Sequence, residues 1–138
     1  MLAANPDIFN HNLETVRRLT PSVRSRATYD RSLEVLRKVK TLRGNSICTK
    51  SGIMLGLGET EEELFTALAD LRNAGCDVLT LGQYLQPTLK HLPVREFVTP
   101  QKFAEYGARA TAMGFVHVAS GAMVRSSYHA DEFVPLRP

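Results

Sequence analysis

The fold is decided by the stretch "SGIMLGLGETEEELFTALADLRNAGCDVLTLGQYL" (residues 51–85), which predicts a strand, a helix and a second strand joined by short turns. The apolar run of residues 51–57 is interrupted by glycine and is typical of a buried strand. Residues 76–85 have the same character and predict the next strand. Two strands separated by one helix are expected to lie parallel, with a right-handed crossover between them.

The helix within this stretch has signals at both ends. Thr60 is expected to be its N-cap residue, and Glu63 stands three residues later, as a capping box requires. Its buried stripe is predicted to contain Leu64, Leu68 and Leu71. Gly75 suits the position just after the helix end, where the backbone often turns left-handed. The sequence therefore predicts both boundaries of this helix.

The same alternation continues outward in both directions. Residues 29–42 predict a helix that ends at Gly44, with a buried stripe formed by Leu33, Leu36, Val39 and Leu42. Residues 99–114 predict another helix, with Thr99 as N-cap, Pro100 in the first turn and Gly114 at the end. Residues 115–120 predict the last strand, and the residues before 29 are interpreted as a loop. The predicted order is thus loop, then three helix–strand pairs.

This order predicts an α/β fold with parallel strands that alternate with helices. An open doubly wound sheet and a TIM-type barrel both remain possible at this point. A complete eight-unit barrel takes roughly 250 residues, whereas this chain has 138. The sequence therefore predicts either a small open sheet or a piece of a barrel.

Composition excludes several classes of protein. The chain is 43% hydrophobic and 22% charged, which is the range of globular rather than disordered chains. The net charge is +3, but the basic residues are scattered, so no nucleic-acid partner is predicted, and the arginines of residues 16–26 are interpreted as a solvated loop. No apolar run is long enough for a membrane span, and the first residues do not resemble a secretory signal. The two cysteines, Cys48 and Cys76, predict neither a disulfide framework nor a metal site and favour a reducing compartment.

Polar residues follow the predicted strands, where parallel α/β folds place their active sites. The turn of residues 56–60 has two glycines that would let a ligand approach the backbone, although it matches no phosphate-loop motif. Residues 83–87 and residues 10–14 supply further hydrogen-bonding side chains. The segment "VRSSYHADEF" (residues 124–133) is dense in donors and acids. The residues alone predict a small-molecule site at the ends of a parallel sheet.

Several segments together carry a more definite resemblance. In order, they are "HNLETV", "TKSGIMLGLGET", "LTLGQYLQPT", "HLPV", "MGF" and "VRSSYHA". They resemble the C-terminal half of the lipoyl synthase family, whose members are radical S-adenosylmethionine enzymes, and the resemblance covers about residues 5–132. It implies that residues 1–138 form a single-domain fragment, the C-terminal part of a partial TIM-type (β/α) barrel, with an RSSY tail at residues 125–128.

The resemblance also implies a chemistry. Family members insert two sulfur atoms, at C6 and C8, into an octanoyl chain carried on a lipoyl-carrier protein, either an E2 domain or the glycine cleavage H protein. They use S-adenosylmethionine and two [4Fe–4S] clusters, one of which is consumed as the sulfur source. The enzyme class is a sulfurtransferase of lipoate biosynthesis, expected in the cytoplasm, or in mitochondria if the source is eukaryotic. No nucleic-acid or membrane partner is expected.

The residues of this chain take their expected roles from the same resemblance. Asn12 and Glu14 would contact the ribose or amino-acid part of S-adenosylmethionine. Further cofactor-binding residues are expected along the next two strands, at Gly56, Gly58, Glu59 and Gln83. Ser127, with Ser126 as the alternative, would be the oxygen ligand of the auxiliary cluster. No residue is assigned a catalytic role.

One departure from the family is plain in the sequence. The family uses two cysteine triads, CxxxCxxC and CxxxCxxxxxC, and this chain has neither. We therefore expect a fragment, a truncated reading frame or one half of a split protein, inactive alone. The alternatives are a non-catalytic remnant that acts as a binding module, and a small free-standing α/β domain that binds a nucleotide at residues 56–60.

Overall fold

The computed structural model describes residues 7–24 and 28–124, apart from the side chain of Asn45. Within these residues, four strands alternate with helices. The strands are β1 (Asp7–Asn10), β2 (Ile47–Leu55), β3 (Val78–Gln83) and β4 (His117–Ser120). The helices are α1 (Thr20–Val23), α2 (Tyr29–Arg43), α3 (Glu61–Asn73) and α4 (Pro100–Ala112), with short 3-10 turns at Arg17–Leu19 and Gly44–Ser46.

The strands form one sheet in the order β1-β2-β3-β4, and every described pair is parallel. A doubly wound sheet reverses its strand order at a switch point, whereas a TIM-type barrel adds each strand beside the previous one. The observed order follows the second rule and confirms the prediction of a partial TIM-type α/β fold. The strand order therefore decides between the doubly wound sheet and the piece of a barrel that the sequence left as alternatives.

The boundaries of α3 and α4 follow the predicted signals. Thr60 caps α3, accepting a bond from the backbone N–H of Glu63 at 3.1 Å, and the Glu63 carboxylate accepts from the N–H of Thr60 at 2.9 Å. At the other end, Gly75 has a φ of +85° and the N–H of Cys76 bonds to the carbonyl of Leu71. In α4, Thr99 accepts from the N–H of Lys102, and Gly114 has a φ of +109°.

The predicted stripe of α2 is wrong at its last position. Leu33 and Leu36 are buried, but Leu42 is 78% exposed. A repeat of three residues falls about 60° short of a full turn at every step, because an α-helix has 3.6 residues per turn. After three steps from Leu33, Leu42 lies on the opposite side of the helix, away from the core.

The structure corrects two strand predictions. β1 lies in the segment for which the sequence predicts a loop; it has only four residues and pairs with β2. β2 begins at Ile47, four residues before the predicted apolar run. The sequence does not reveal this extension, because Thr49 is polar and yet buried in the structure. Its hydroxyl donates to the carbonyl of Gly75 at 3.0 Å, so its burial leaves no unpaired group there.

The helices pack on one face of the sheet. Alternate strand residues, including Ile53, Leu55, Leu79 and Leu81, join the buried faces of the helices in one core. The other strand residues point to the opposite face, here called the inner face, which includes Asn10, Lys50, Met54, Thr80 and Gly82. In a barrel this face lines the interior.

Candidate functional site

A cavity of about 640 Å³ lies at the carboxyl ends of β1, β2 and β3. Its wall includes Met54 from β2 and Gly82 from β3, both on the inner face. Ile53 and Gln83 from the same two strands, together with Val124, also line it. The segment after β1, α1 with the residue that follows it, and the loop after β3 supply the rest: Asn12, Glu14, Ser22, Val23, Arg24, Tyr84, Leu85, Pro87, Lys90, His91, Leu92 and Pro93. The cavity therefore occupies the position where parallel α/β folds bind ligands.

Glu14 is held at the cavity by the backbone on both sides. Its N–H donates to the carbonyl of Gly52, and its own carbonyl accepts from the N–H of Met54, both at 2.9 Å. Its φ is +74°, in the left-handed region that residues other than glycine rarely adopt. Strain of this kind persists where the surrounding structure holds it, and it is common at ligand sites.

Arg24 and Asn12 set the electrostatics around this carboxyl group. Burial raises the pKa of Glu14, and the Arg24 charge and a hydrogen bond from Asn12 oppose that shift. The Arg24 guanidinium donates to the backbone carbonyl of Asn12 at 3.2 Å and to the Ser32 hydroxyl at 2.9 Å. Burial, and secondarily Arg24, lower the pKa of His11, which lies 3.2 Å from the same hydroxyl. One arginine therefore links α1, α2 and the segment after β1.

The side-chain oxygen of Asn12 can still accept a hydrogen bond. Its Oδ1 is buried and has no hydrogen-bond partner among the described residues. A buried acceptor without a partner costs free energy unless a ligand or water supplies a donor. Asn12 and Glu14 both line the cavity, so a ligand bound there could supply the missing donor.

Gln83 lines the cavity, but its side chain is already engaged. Its amide nitrogen donates to the carbonyls of Tyr84 and Glu96, at 3.0 and 2.9 Å, and its Oε1 accepts from the N–H of Val98 at 2.9 Å. The observed role of Gln83 is therefore to fasten the long segment between β3 and α4 to the sheet. Its assignment as a cofactor contact stays a prediction.

The glycine turn after β2 (residues 56–60) is held by hydrogen bonds between its own residues. The Glu59 carboxylate accepts from the N–H of Gly56 at 2.9 Å and from that of Leu57 at 3.0 Å. Arg18 bonds to the carbonyl of Gly58 and to Glu63. None of Gly56, Gly58 and Glu59 is among the residues that line the cavity. Because carboxylates already accept these N–H groups, the geometry argues against a phosphate site at residues 56–60.

The rim loop (residues 85–93) forms the outer edge of the cavity. The Tyr84 hydroxyl donates to the carbonyl of Leu92 at 2.8 Å, and the Gln86 side chain donates to that of His91 at 2.9 Å. The Thr88 hydroxyl lies 2.8 Å from Nδ1 of His91. These bonds hold the loop in one shape at the edge of the cavity.

The described residues do not offer a metal site. No group of three or more His, Cys, Asp or Glu side chains in residues 7–24 and 28–124 could hold a metal ion. Cys76 is buried in the core, and burial raises its pKa to about 12. Cys48 is the second residue of β2, near the end of the strand that lies opposite the cavity, and burial raises its pKa too. Ser127, its alternative Ser126 and the rest of the RSSY tail lie outside the described residues.

Sequence reasoning missed Arg24, Lys90 and His91. Arg24 was interpreted as part of a solvated loop, yet it is half-buried and lines the cavity. Nothing in its spacing distinguishes it from the exposed arginines nearby. Only the packing of α1 against the segment after β1 reveals its position.

Arg24→Gln is expected to raise the pKa of Glu14 further, because it removes the charge that favours the carboxylate. It should also cost about 1–2 kcal/mol of stability, since two acceptors lose a charged donor. Carboxyl ¹³C titration by NMR and urea unfolding measure the two effects. Arg17→Gln is the control, because Arg17 pairs with the exposed Asp30. An unchanged Glu14 titration in Arg24→Gln would contradict this account.

Comparison with curated proteins found close relatives, each named lipoyl synthase. The protein from Flavobacterium johnsoniae is 59% identical over 134 residues, which is 97% of this chain and 46% of the relative. The protein from a Geobacillus species is 58% identical, over 97% of this chain and 45% of its own length. The protein from Symbiobacterium thermophilum is 56% identical over 96% of this chain and 41% of its own length.

The chain thus spans about half the length, or slightly less, of the curated relatives it matches. A comparison with models of protein families found no match. No helix among the described residues is long and apolar enough to cross a membrane. The resemblance stated from the sequence motifs is confirmed by identities of this size over nearly the whole chain.

Proposed function

We propose that this chain, which is homologous to about half of a lipoyl synthase, forms the part of such an enzyme that holds S-adenosylmethionine. The proposal rests on the identity to lipoyl synthases together with one structural observation. That observation is that Glu14 and Asn12 both line the cavity at the strand ends, and that the buried Oδ1 of Asn12 has no hydrogen-bond partner among the described residues. The reaction served would be sulfur insertion into a carrier-bound octanoyl chain, in lipoate biosynthesis.

The residues present suit S-adenosylmethionine. The cavity falls within the range of about 300–1,000 Å³ that is usual for cofactor sites. Glu14 and Asn12 offer acceptors for an ammonium group or for ribose hydroxyls, and Arg24 offers donors for a carboxylate. Met54 supplies apolar surface for an adenine ring. When bound, the cofactor supplies the means to abstract hydrogen from an unreactive carbon.

The role of the protein in this scheme is to bind and orient. The backbone bonds of Glu14 hold its carboxyl group at the cavity, and Arg24 favours its charged form. The rim loop forms one edge of the site. A site fixed in this way costs little reorganisation when the ligand arrives.

The iron–sulfur clusters do not fit the described residues, which include no group of three or more His, Cys, Asp or Glu side chains that could hold a metal ion. Cys48 and Cys76 lie away from the cavity, and burial disfavours the thiolate of each. Ser127 remains our proposed oxygen ligand of the auxiliary cluster. The carrier protein likewise remains a proposal, and a location in the cytoplasm stays a prediction.

Ligand binding to the chain tests the proposed function. Isothermal calorimetry should detect saturable binding of S-adenosylmethionine, and Asn12→Ala should weaken it about tenfold by removing one hydrogen-bond acceptor. Asn73→Ala, at an exposed position at the end of α3, should leave the affinity unchanged. Binding of ATP but not of S-adenosylmethionine would favour the nucleotide alternative. Binding of neither would favour a non-catalytic binding module.

A further inference from the structure

Ser32 is a polar residue on the buried side of α2. It is 1% exposed, and Leu33 and Leu36 of the same helix belong to the core. A serine hydroxyl inside a helix commonly bonds back to the carbonyl four residues earlier. The hydrogen bonds of the Ser32 hydroxyl instead leave the helix and reach His11 and Arg24. These two partners satisfy a buried hydroxyl that would otherwise lower the stability of the fold.

The donors and acceptors in this group set the direction of each bond. A guanidinium can only donate, so Oγ of Ser32 accepts from Nη1 of Arg24 at 2.9 Å. The hydroxyl hydrogen is then left for Nε2 of His11, at 3.2 Å. The His11 ring stacks on Phe9, with the two ring planes 6° apart, and its backbone N–H donates to the carbonyl of Lys50. A firmly held His11 therefore orients the hydroxyl so that its lone pairs face Arg24.

The same bonds fix the side chain of Arg24. Its backbone follows α1, a single helical turn, and its N–H donates to the carbonyl of Thr20 at 2.8 Å. Nη1 uses its two hydrogens on Ser32 and on the backbone carbonyl of Asn12. Nε and Nη2 make no hydrogen bond to the residues that the structure describes. These two nitrogens form one edge of the guanidinium, and such an edge matches the two oxygens of a carboxylate.

Arg24 lines the cavity, whereas Ser32 lies behind it. A long side chain that is ordered in advance loses less conformational entropy when a ligand binds. We propose that Ser32 is a positioning residue of the cavity: its hydroxyl, oriented by His11, holds Arg24 so that the Nε–Nη2 edge can pair with the carboxylate of a bound amino-acid group. This inference rests on the proposed function, in which the ligand is S-adenosylmethionine. It makes Ser32 a determinant of selectivity for ligands that carry this carboxylate.

Two ligands that differ only in the carboxylate provide the test, with affinities measured by isothermal calorimetry. Ser32→Ala should weaken binding of S-adenosylmethionine about tenfold, because Arg24 loses the acceptor that orders it. The affinity for decarboxylated S-adenosylmethionine should stay within about twofold of the parent's, which also shows that the cavity is folded. Ser46→Ala is the matched control and should bind both ligands like the parent. Ser46 accepts from Arg43 at 3.1 Å, at an exposed position that does not line the cavity.

A double-mutant cycle shows whether Ser32 acts through Arg24. Arg24→Gln should weaken binding of S-adenosylmethionine, and adding Ser32→Ala should have no further effect, because the group that Ser32 positions is gone. The ¹⁵N chemical shifts of the neutral His11 ring should show Nε2 without a proton. If circular dichroism shows that Ser32→Ala does not fold, Ser32→Cys replaces it, because a thiol of similar size accepts hydrogen bonds only weakly.

Four results would overturn the proposal. Ser32→Ala could bind S-adenosylmethionine as tightly as the parent does. It could weaken both ligands equally, which would make its role structural only. Its effect could persist in full in the Arg24→Gln background, or the neutral His11 ring could carry its proton on Nε2.

Each of these results leaves the proposed function standing, because the parent chain still binds S-adenosylmethionine. If the parent does not bind S-adenosylmethionine, the proposed function is refuted, and the role of Ser32 with it.

Discussion

Gly56→Ala is expected to cost about 4 kcal/mol or more, a large part of the stability of an ordinary domain. Gly56 has a φ of +97°, and a Cβ added there would lie 2.3 Å from the carbonyl oxygen of Glu96 and 2.5 Å from Nε2 of Gln83. The first of these atoms is backbone. The second is held by the bonds that Gln83 makes to Tyr84, Glu96 and Val98, so neither can move without detaching the segment between β3 and α4.

Gly58→Ala separates the steric effect from the backbone effect. Gly58 has a φ of +114°, but the nearest atom to an added Cβ is Cγ of Arg95 at 3.6 Å, an ordinary contact. This variant should therefore lose only the cost of the unfavourable backbone conformation, about 1–3 kcal/mol. Urea unfolding followed by circular dichroism measures both variants. Equal losses would mean that the close approach at Gly56 contributes nothing.

Glu14→Gln is expected to lower the affinity for S-adenosylmethionine by about 10- to 100-fold, because hydrogen bonds to charged groups contribute about 1.5–3 kcal/mol. The same variant should be more stable than the parent at neutral pH. Burial disfavours the Glu14 carboxylate, and the neutral amide avoids that penalty. A gain in stability with a loss of binding is the pattern of a side chain retained for its ligand.

The sign of the pH dependence follows from the direction of the shift. The pKa of Glu14 is raised from its ordinary 4.5, so the folded state holds this proton more tightly than the unfolded state. The contribution of Glu14 to stability is present below the unfolded pKa and is lost as pH rises through the folded pKa. The difference in stability between Glu14→Gln and the parent should therefore be largest at neutral pH and shrink in acid.

Two comparisons check this prediction. Glu34→Gln is the control, because Glu34 is exposed on α2 and does not line the cavity. Methylthioadenosine, which lacks the amino-acid part, distinguishes the two expected contacts. If Glu14 binds the ammonium group, Glu14→Gln should leave methylthioadenosine affinity unchanged; if it binds the ribose, both ligands should weaken. If Glu14→Gln binds both ligands as tightly as the parent does, Glu14 is not part of the binding site.

Local chemistry determined much of the fold from the sequence alone. Thr60, Glu63 and Gly75 mark the ends of α3 by the bonds that capping requires, and those bonds lie within a few residues along the chain. The alternation of apolar runs with helices is likewise sufficient to predict a parallel α/β fold. The sequence motifs also carried the resemblance that the comparisons confirmed. Each of these features depends on neighbours in sequence, so no knowledge of distant contacts was needed.

The tertiary structure alone decided the strand order, the exposure of Leu42 and the composition of the site. The strand order chose a partial barrel over a doubly wound sheet, because pairing between strands is not encoded within any one of them. Arg24 and Glu59 have similar local signals, both being charged residues in polar turns. Packing brings Arg24 to the cavity, whereas Glu59 bonds to the backbone of its own turn. Which side chain faces a ligand is set by contacts between residues far apart in sequence, and these form only when the chain has folded.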